Sequence, residues 1–265
     1  MVYQIKVLIY SIFNKLFLLS WSNKWSTFVV EKLGTLTKSV QIENRRTFFS
    51  TTNTLLLYRV DTLYSKEPET IEWLDSMKES DILYDVGANV GMFSIYAGMR
   101  GVQVLAFEPV YYNYNILNQN IITNNLCSKV TAYPLALADK MSFGEMQISS
   151  TLPGAAFNTF DIHLSQSKHV QGSVSFRMDS LVNDHHLPSP THIKIDVDGI
   201  ELLIVTGMSG ILVSEQLKSI LIEIDEDKDQ DLEIRNIIES AGFKMSKKGS
   251  KFEGSNMRNY IWSKD

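Results

Sequence analysis

From residue 81 onward, apolar positions alternate between two periods. Ile82, Leu83, Tyr84 and Val86 form a short apolar run, and Val90, Phe93, Ser94 and Ala97 then recur at helical spacing, the switch expected of an α/β unit. A second apolar run covers 102–107. A helix with inward Tyr111, Tyr114, Ile116, Leu117 and Ile121 follows to about Asn124, and 130–137 reads as a third strand. The rhythm lapses over 140–178, where Gly144, Pro153, Gly154 and Gly172 punctuate short alternating stretches such as Val174, Phe176 and Met178. That pattern predicts a hairpin-rich insertion near the ligand-binding edge. Beyond it come a strand over 193–197, a turn at Gly199, a helix to about Val213, a strand over 219–224, and a helix over 232–241 stopped by Gly242 as a C′ glycine. Segments 243–245 and 260–262 suit a closing antiparallel pair.

Upstream, 1–33 has a helical pattern, and Thr47, Phe49, Leu55, Leu57 and Arg59 alternate as in a short hairpin within 41–64. Segment 66–79 places Pro68 in a first helical turn, with Ile71, Leu74 and Met77 facing inward. A chain of 265 residues can bury one sizeable core. The expected organisation is an N-terminal helix and hairpin extension over 1–65, then one α/β domain over 66–265 with helices on both faces of its sheet.

Composition narrows the function. Twenty-five basic residues against thirty acidic ones give a net charge of −5, which argues against nucleic acid as the partner. The local run Lys244, Lys247, Lys248 and Lys251 reads as a solvated loop. Cys127 is the single cysteine, so neither an intramolecular disulfide nor a cysteine-based zinc site is available, as suits a reducing cytoplasm. Lys6, Asn14 and Lys15 interrupt the apolar first twenty residues, and neither a spanning segment nor a cleavable leader is expected. Val7, Ile9, Tyr10, Phe13, Phe17 and Leu18 share a helical face, read as packing on the protein's own core or a second subunit, with peripheral membrane contact as the alternative. Oligomeric state is left open.

The chemistry concentrates where the strands end. Asp85 precedes a turn carrying Gly87, Asn89 and Gly91; the glycines let backbone approach a ligand, and the next helix directs its first N–H groups there. The turn reads G-x-N-x-G and lacks the third glycine of a pyrophosphate cradle. A carboxylate at Asp85 would repel a diphosphate but suit a ligand with an ammonium and a sulfonium, as in S-adenosylmethionine. Glu108, at the end of the second strand, is placed to accept from ribose hydroxyls, a device dehydrogenases and methyltransferases share. In KIDVDGIE, at 194–201, alternation sets Lys194, Asp196 and Asp198 on one side. A lysine inside an apolar strand demands a partner, which predicts Lys194 against Asp196 or another carboxylate. Asp85, Glu108, Asp196 and Glu223 thus converge on one sheet edge.

Several strings, in order, carry a resemblance over roughly 55–225: KEPET at 66–70, DVGANVG at 85–91, FEP at 107–109, ALAD at 136–139, MDSL at 178–181, KIDVDGIE at 194–201 and IEID at 222–225. The sequence resembles the FkbM family of S-adenosylmethionine-dependent methyltransferases, departing at Asp198, where the family usually has Glu, and at Met178, where it has Leu. The resemblance implies a class I methyltransferase fold, α/β and Rossmann-like, with a seven-stranded mostly parallel sheet whose last strand is antiparallel. It also implies O-methylation of a hydroxyl on a sugar, glycolipid or polyketide-like metabolite. By the same resemblance Asp85, Gly87, Asn89 and Gly91 would hold the methionine portion of the cofactor and Glu108 its ribose, Asp139 would approach the adenine amino group, and Asp196 would face the sulfonium and the acceptor.

Asp196 is read equally as a general base or acceptor-orienting group, backed by Asp198 and Glu201 and tuned by Lys194, and as a residue that only orders the loop. Asp196, Asp198, Glu223 and Asp225 offer hard oxygen ligands, yet no motif requires a metal. The histidines are read as bland. Phe157, Asn158, Phe160 and His163 of the insertion are available to an acceptor. The rivals are an NAD-dependent oxidoreductase and a non-catalytic binding module on the same scaffold.

Overall fold

The computed structural model describes residues 22–156, 158–160, 169–227, 230–252 and 255–264. The chain runs α1 (Ser22–Gly34), β1 (Thr37–Ile42), β2 (Arg45–Ser50), α2 (Thr54–Asp61), α3 (Pro68–Asp75), β3 (Ile82–Val86), α4 (Met92–Met99), β4 (Gln103–Phe107) and α5 (Tyr111–Thr123). It continues through β5 (Val130–Tyr133), β6 (Ala136–Leu137), β7 (Ser142–Ile148), β8 (Thr159–Phe160), β9 (His169–Phe176), α6 (Met178–Asn183) and β10 (His192–Ile195). It closes with α7 (Glu201–Gly207), α8 (Ser209–Leu212), β11 (Ser219–Asp225), α9 (Gln230–Ser240), β12 (Lys244–Lys248) and β13 (Met257–Ser263).

The main sheet has seven strands in the order β12-β13-β11-β10-β3-β4-β5. Pairings from β5 through to β11 are parallel, and β13 runs antiparallel to both its neighbours. This is the mixed, mostly parallel sheet that the resemblance implies. Alternation divides its side chains between two cores. Tyr84, Val86, Phe107, Ile195 and Ile222 pack under α7, α8 and α9, while Leu83, Val104, Ala106 and Leu221 pack under α3, α4 and α5. Asp179 of the MDSL string accepts from the N–H groups of Gly210 and Ile211, both at 2.9 Å, and so caps α8.

Two expected strands resolve differently. Segment 130–137 is two strands, not one, because Pro134 offers no N–H to continue a ladder; β5 ends the main sheet, while β6 pairs with β9 in a separate sheet of order β6-β9-β7-β8. Strands β7, β8 and β9 of that second sheet fall within 140–178. The hairpin expected within 41–64 begins upstream of that range, with β1 from Thr37 paired to β2 and turning at Glu43, and the later part of the range carries the helix α2. Asn53 caps α2 by accepting from Leu56 N at 2.9 Å, and the buried Leu56 and Val60 lie one turn apart. The hairpin is pinned to α5, where Asn120 and Asn124 accept from Ser50 N and Phe48 N at 2.8 Å.

Helix α1 covers the described part of the segment expected to be helical. Its Phe28, Val30 and Leu33 are 48%, 66% and 53% exposed. The apolar face from Val7 to Leu18 lies outside the described residues. Among the described residues, no helix is long and apolar enough to cross a membrane.

Candidate active site

The parallel register levels the carboxyl ends of the central strands. Val86 pairs with Phe107 and with Ile195, and Ile195 with Ile222, so Gly87, Glu108, Asp196 and Glu223 emerge on one edge. Past them opens a cavity of about 380 Å³, within the range of small-molecule sites.

Gly87 makes the closest approach. It has φ +76°, and a Cβ there would stand 1.9 Å from the carbonyl oxygen of Asp196, so only glycine lets β3 and β10 end this close together. Gly87 N and Ala88 N donate to Phe107 O at 3.0 and 3.1 Å, and Asp196 N donates to Val86 O at 3.0 Å. Glu108 stitches the loops: Oε2 accepts from Asn89 N at 2.8 Å and Oε1 from Val110 N at 2.9 Å. Its carboxyl is 4% exposed, and burial pushes its pKa up to about 7 despite those donors and the nearby Arg59 charge. Asn89 also donates through Nδ2 to Ala155 O at 3.0 Å, tying the glycine turn to the insertion.

Lys194 does meet Asp196, with Nζ 2.6 Å from Oδ2. Burial alone would lower the lysine's pKa, but Asp196, Asp85 and Glu67 hold it above the ordinary value. For Asp196, burial opposes the charge and Lys194, with Lys66 and Arg59 behind it, keeps the carboxyl below its usual range. Asp196 is therefore an ionised carboxylate on the cavity wall, one oxygen committed to Lys194. Glu223, level with it on the next strand, is pushed up to about 9 by burial and then by the charges of Asp196 and Glu67. Two adjacent carboxyls are thus pushed in opposite directions, Asp196 toward its ionised form and Glu223 toward its protonated form, as in acid–base pairs.

Of the residues expected at the site, Gly87, Asn89, Glu108, Asp196 and Asp198 line the cavity. Asp85 does not: it is 1% exposed on the Leu83 face of β3, where Ser94 of α4 donates to it and burial raises its pKa. Gly91 is a packing glycine, φ +82°, whose Cβ would meet Leu117 at 2.3 Å. Asp139 lies two residues past β6, and Leu135, Ala136 and Leu137 form that wall instead. Glu201 accepts from Gly199 N at 2.9 Å and from Gln230 at 3.2 Å, ordering the turn away from the cavity, and Lys194 lies beneath the wall. Asp198 accepts from Asn158 N at 3.2 Å. Asn158 and Phe160 line the cavity as expected; Phe157 and His163 lie outside the described residues. Among the described residues, no cluster of His, Cys, Asp and Glu is arranged to hold a metal ion.

The sequence reading missed a whole wall. Leu55, Tyr58 and Arg59 of α2, then Lys66, and Phe252, Ser255 and Met257 near the other end of the chain, complete the cavity. Lys66 pairs with Glu67 at 2.8 Å and sits 4.9 Å from the Phe252 ring centroid. The KEPET string contained the one available signal, since Glu67 and Glu69 are buried acids that Asn259 bonds at 3.2 and 3.0 Å.

A glycine cradle after the first strand of a doubly wound sheet, with a buried acid ending the second, defines a Rossmann-like architecture of the kind that dehydrogenases and methyltransferases share. The chain belongs to the family of the methyltransferase FkbM domain, which matches residues 85–245. Hexuronic acid methyltransferase AglP of Haloferax volcanii is 27% identical over 168 residues, covering 63% of this chain and 66% of AglP. The 31-O-demethyl-FK506 methyltransferase FkbM of Streptomyces tacrolimicus is 36% identical over 56 residues, 20% of this chain and 22% of that protein. Methyltransferase FkbM from Methylobacillus flagellatus KT, a solved structure, shares the fold with a TM-score of 0.53 at 14% identity, covering 80% of this chain and 53% of that one. The chain therefore spans under two thirds of each of these relatives.

Proposed function

We propose that this chain is an S-adenosylmethionine-dependent O-methyltransferase acting on a hydroxyl of a sugar, glycolipid or polyketide-like metabolite. The observation that carries it is the Gly87 cradle closed on the Asp196 backbone beside the buried Glu108, inside the family-matched segment. Gly87 and Asn89 would hold the methionine portion and Glu108 the ribose, with Phe107, Val110, Leu135 and Leu137 offering an apolar slot for a base. The ionised Asp196 on the wall disfavours a diphosphate beside it. The names of two relatives, one for a 31-O-demethyl substrate and one for hexuronic acid, support an oxygenated acceptor.

The bound cofactor supplies an electrophilic methyl group. The protein's part is to align the acceptor and to take its proton. Asp196 accepts the hydroxyl hydrogen through Oδ1 while Lys194 holds Oδ2, so the carboxylate cannot rotate away. Glu223, which burial and the Asp196 charge push toward its protonated form, offers an O–H donor to a second oxygen of the acceptor. Calorimetric titration with S-adenosylmethionine, S-adenosylhomocysteine and NAD tests the reading. Heat from both adenosyl compounds and none from NAD is expected; NAD binding without them would return the assignment to an oxidoreductase.

We also propose peripheral membrane contact through α1. Phe28, Val30 and Leu33 are exposed there, and residues 1–36 carry four lysines against one glutamate. Co-sedimentation with phosphatidylglycerol vesicles but not with phosphatidylcholine vesicles is expected, and loss of that binding on deleting residues 1–36; equal failure on both would refute it.

A further inference from the structure

Arg59 and Lys66 are the cations on the described cavity wall, and only Lys66 has a carboxylate partner there. Arg59 is held through Nε, which donates to Gly154 O at 2.8 Å. That bond fixes the guanidinium plane and leaves both terminal amino groups without a partner among the described residues. Its charge lowers the pKa of both Glu108 and Asp196, so it stands within electrostatic reach of both on the same cavity wall.

The support beneath Arg59 is rigid. Leu56 and Val60 bury the face of α2 next to Arg59, and Asn53 caps the helix while donating through Nδ2 to Pro153 O at 3.0 Å. Gly154 N in turn donates to Asn113 Oδ1 at 2.8 Å, and Asn89 reaches Ala155 O. The 153–155 loop is gripped from three elements, so Arg59 is aimed into the cavity by construction. A planar fork with both terminal groups open fits an oxyanion bidentately, which a lysine cannot do.

We infer that Arg59 anchors an anionic oxygen group, a carboxylate or a phosphate ester, on the methyl acceptor. This rests on the methyltransferase reading of the same cavity and names the acceptor's class. The alternative ligand for Arg59 is the carboxylate of the cofactor. Two observations favour the acceptor: Arg59 lies outside the 85–245 match, and its own hydrogen bond goes to Gly154 with none to the glycine turn among the described residues.

The test titrates protein saturated with S-adenosylhomocysteine with methyl glucuronide, glucose 1-phosphate and methyl glucoside, for the unaltered chain, R59Q and R59K. At least one charged probe should bind about tenfold or more tighter than the neutral glucoside, the range of a charge-assisted contact. Which charged probe wins separates carboxylate from phosphate. R59Q should erase the preference and R59K restore part of it, with S-adenosylhomocysteine affinity constant throughout. Equal affinities, no binding of either charged probe, or weakened S-adenosylhomocysteine binding in R59Q would overturn the inference. Failure of S-adenosylhomocysteine to bind the unaltered chain would instead defeat the methyltransferase reading.

Discussion

On the glycine-turn side of the cavity, contacts run through backbone: Gly87 against the Asp196 carbonyl, and Asn89 N and Val110 N to Glu108. On the facing side they run through side chains from outside the family-matched segment: Arg59 to Gly154, and Lys66 between Glu67 and Phe252. A backbone cradle depends on φ and close approach, so it tolerates little change. A side-chain wall can be rebuilt residue by residue over the same cradle. The difference suits a constant ligand on one side and a variable one on the other.

The sharpest way to break this comparison is Gly87→Ala. The added Cβ would collide with backbone and separate β3 from β10, so S-adenosylmethionine heats should vanish in calorimetry while circular dichroism still reports a folded chain; undiminished affinity would remove the cradle from the account. Asp196→Asn should lower turnover by about 10²- to 10⁴-fold with S-adenosylhomocysteine affinity unchanged, and full turnover would leave Asp196 as a loop-ordering residue only. Lys194→Met strands the Asp196 charge and should cost about 3–5 kcal/mol in urea unfolding. A loss under about 1 kcal/mol would mean the pair contributes little beyond orientation.

The smallest effect concerns pH. Glu223 is pushed up to about 9 in the folded chain, far above its ordinary value, so the folded state binds more protons than the unfolded one between the two. Stability should therefore fall as pH rises toward 9, with Glu108 adding the same sign up to about 7. Melting curves at pH 7 and 9 should converge in Glu223→Gln. A variant as pH-sensitive as the unaltered chain would assign the effect elsewhere.

Where the period was strict and the turn chemistry local, the fold was legible. The strand–turn–helix over 81–98 stands as β3, the glycine turn and α4, and the cost of burying a lysine foretold the Lys194–Asp196 pair. The misreadings have physical causes. Leu55, Leu57 and Arg59 alternate, yet the capping bond from Asn53 and burial of Leu56 and Val60 make a helix there. Asp85 was read as facing a ligand because it ends an apolar run, but alternation places it on the Leu83 face beneath α4. Arg59, Lys66 and Phe252 are brought together only by tertiary folding, and no local pattern announces such a wall.

Hydrogen–deuterium exchange with and without S-adenosylhomocysteine tests the two-sided cavity most directly. The account predicts slowed exchange at Gly87–Val90 and at Glu108–Val110, with α2 unchanged until a charged acceptor probe is added. Protection confined to α2 and the 252–257 segment, with the glycine turn unaffected, would contradict it.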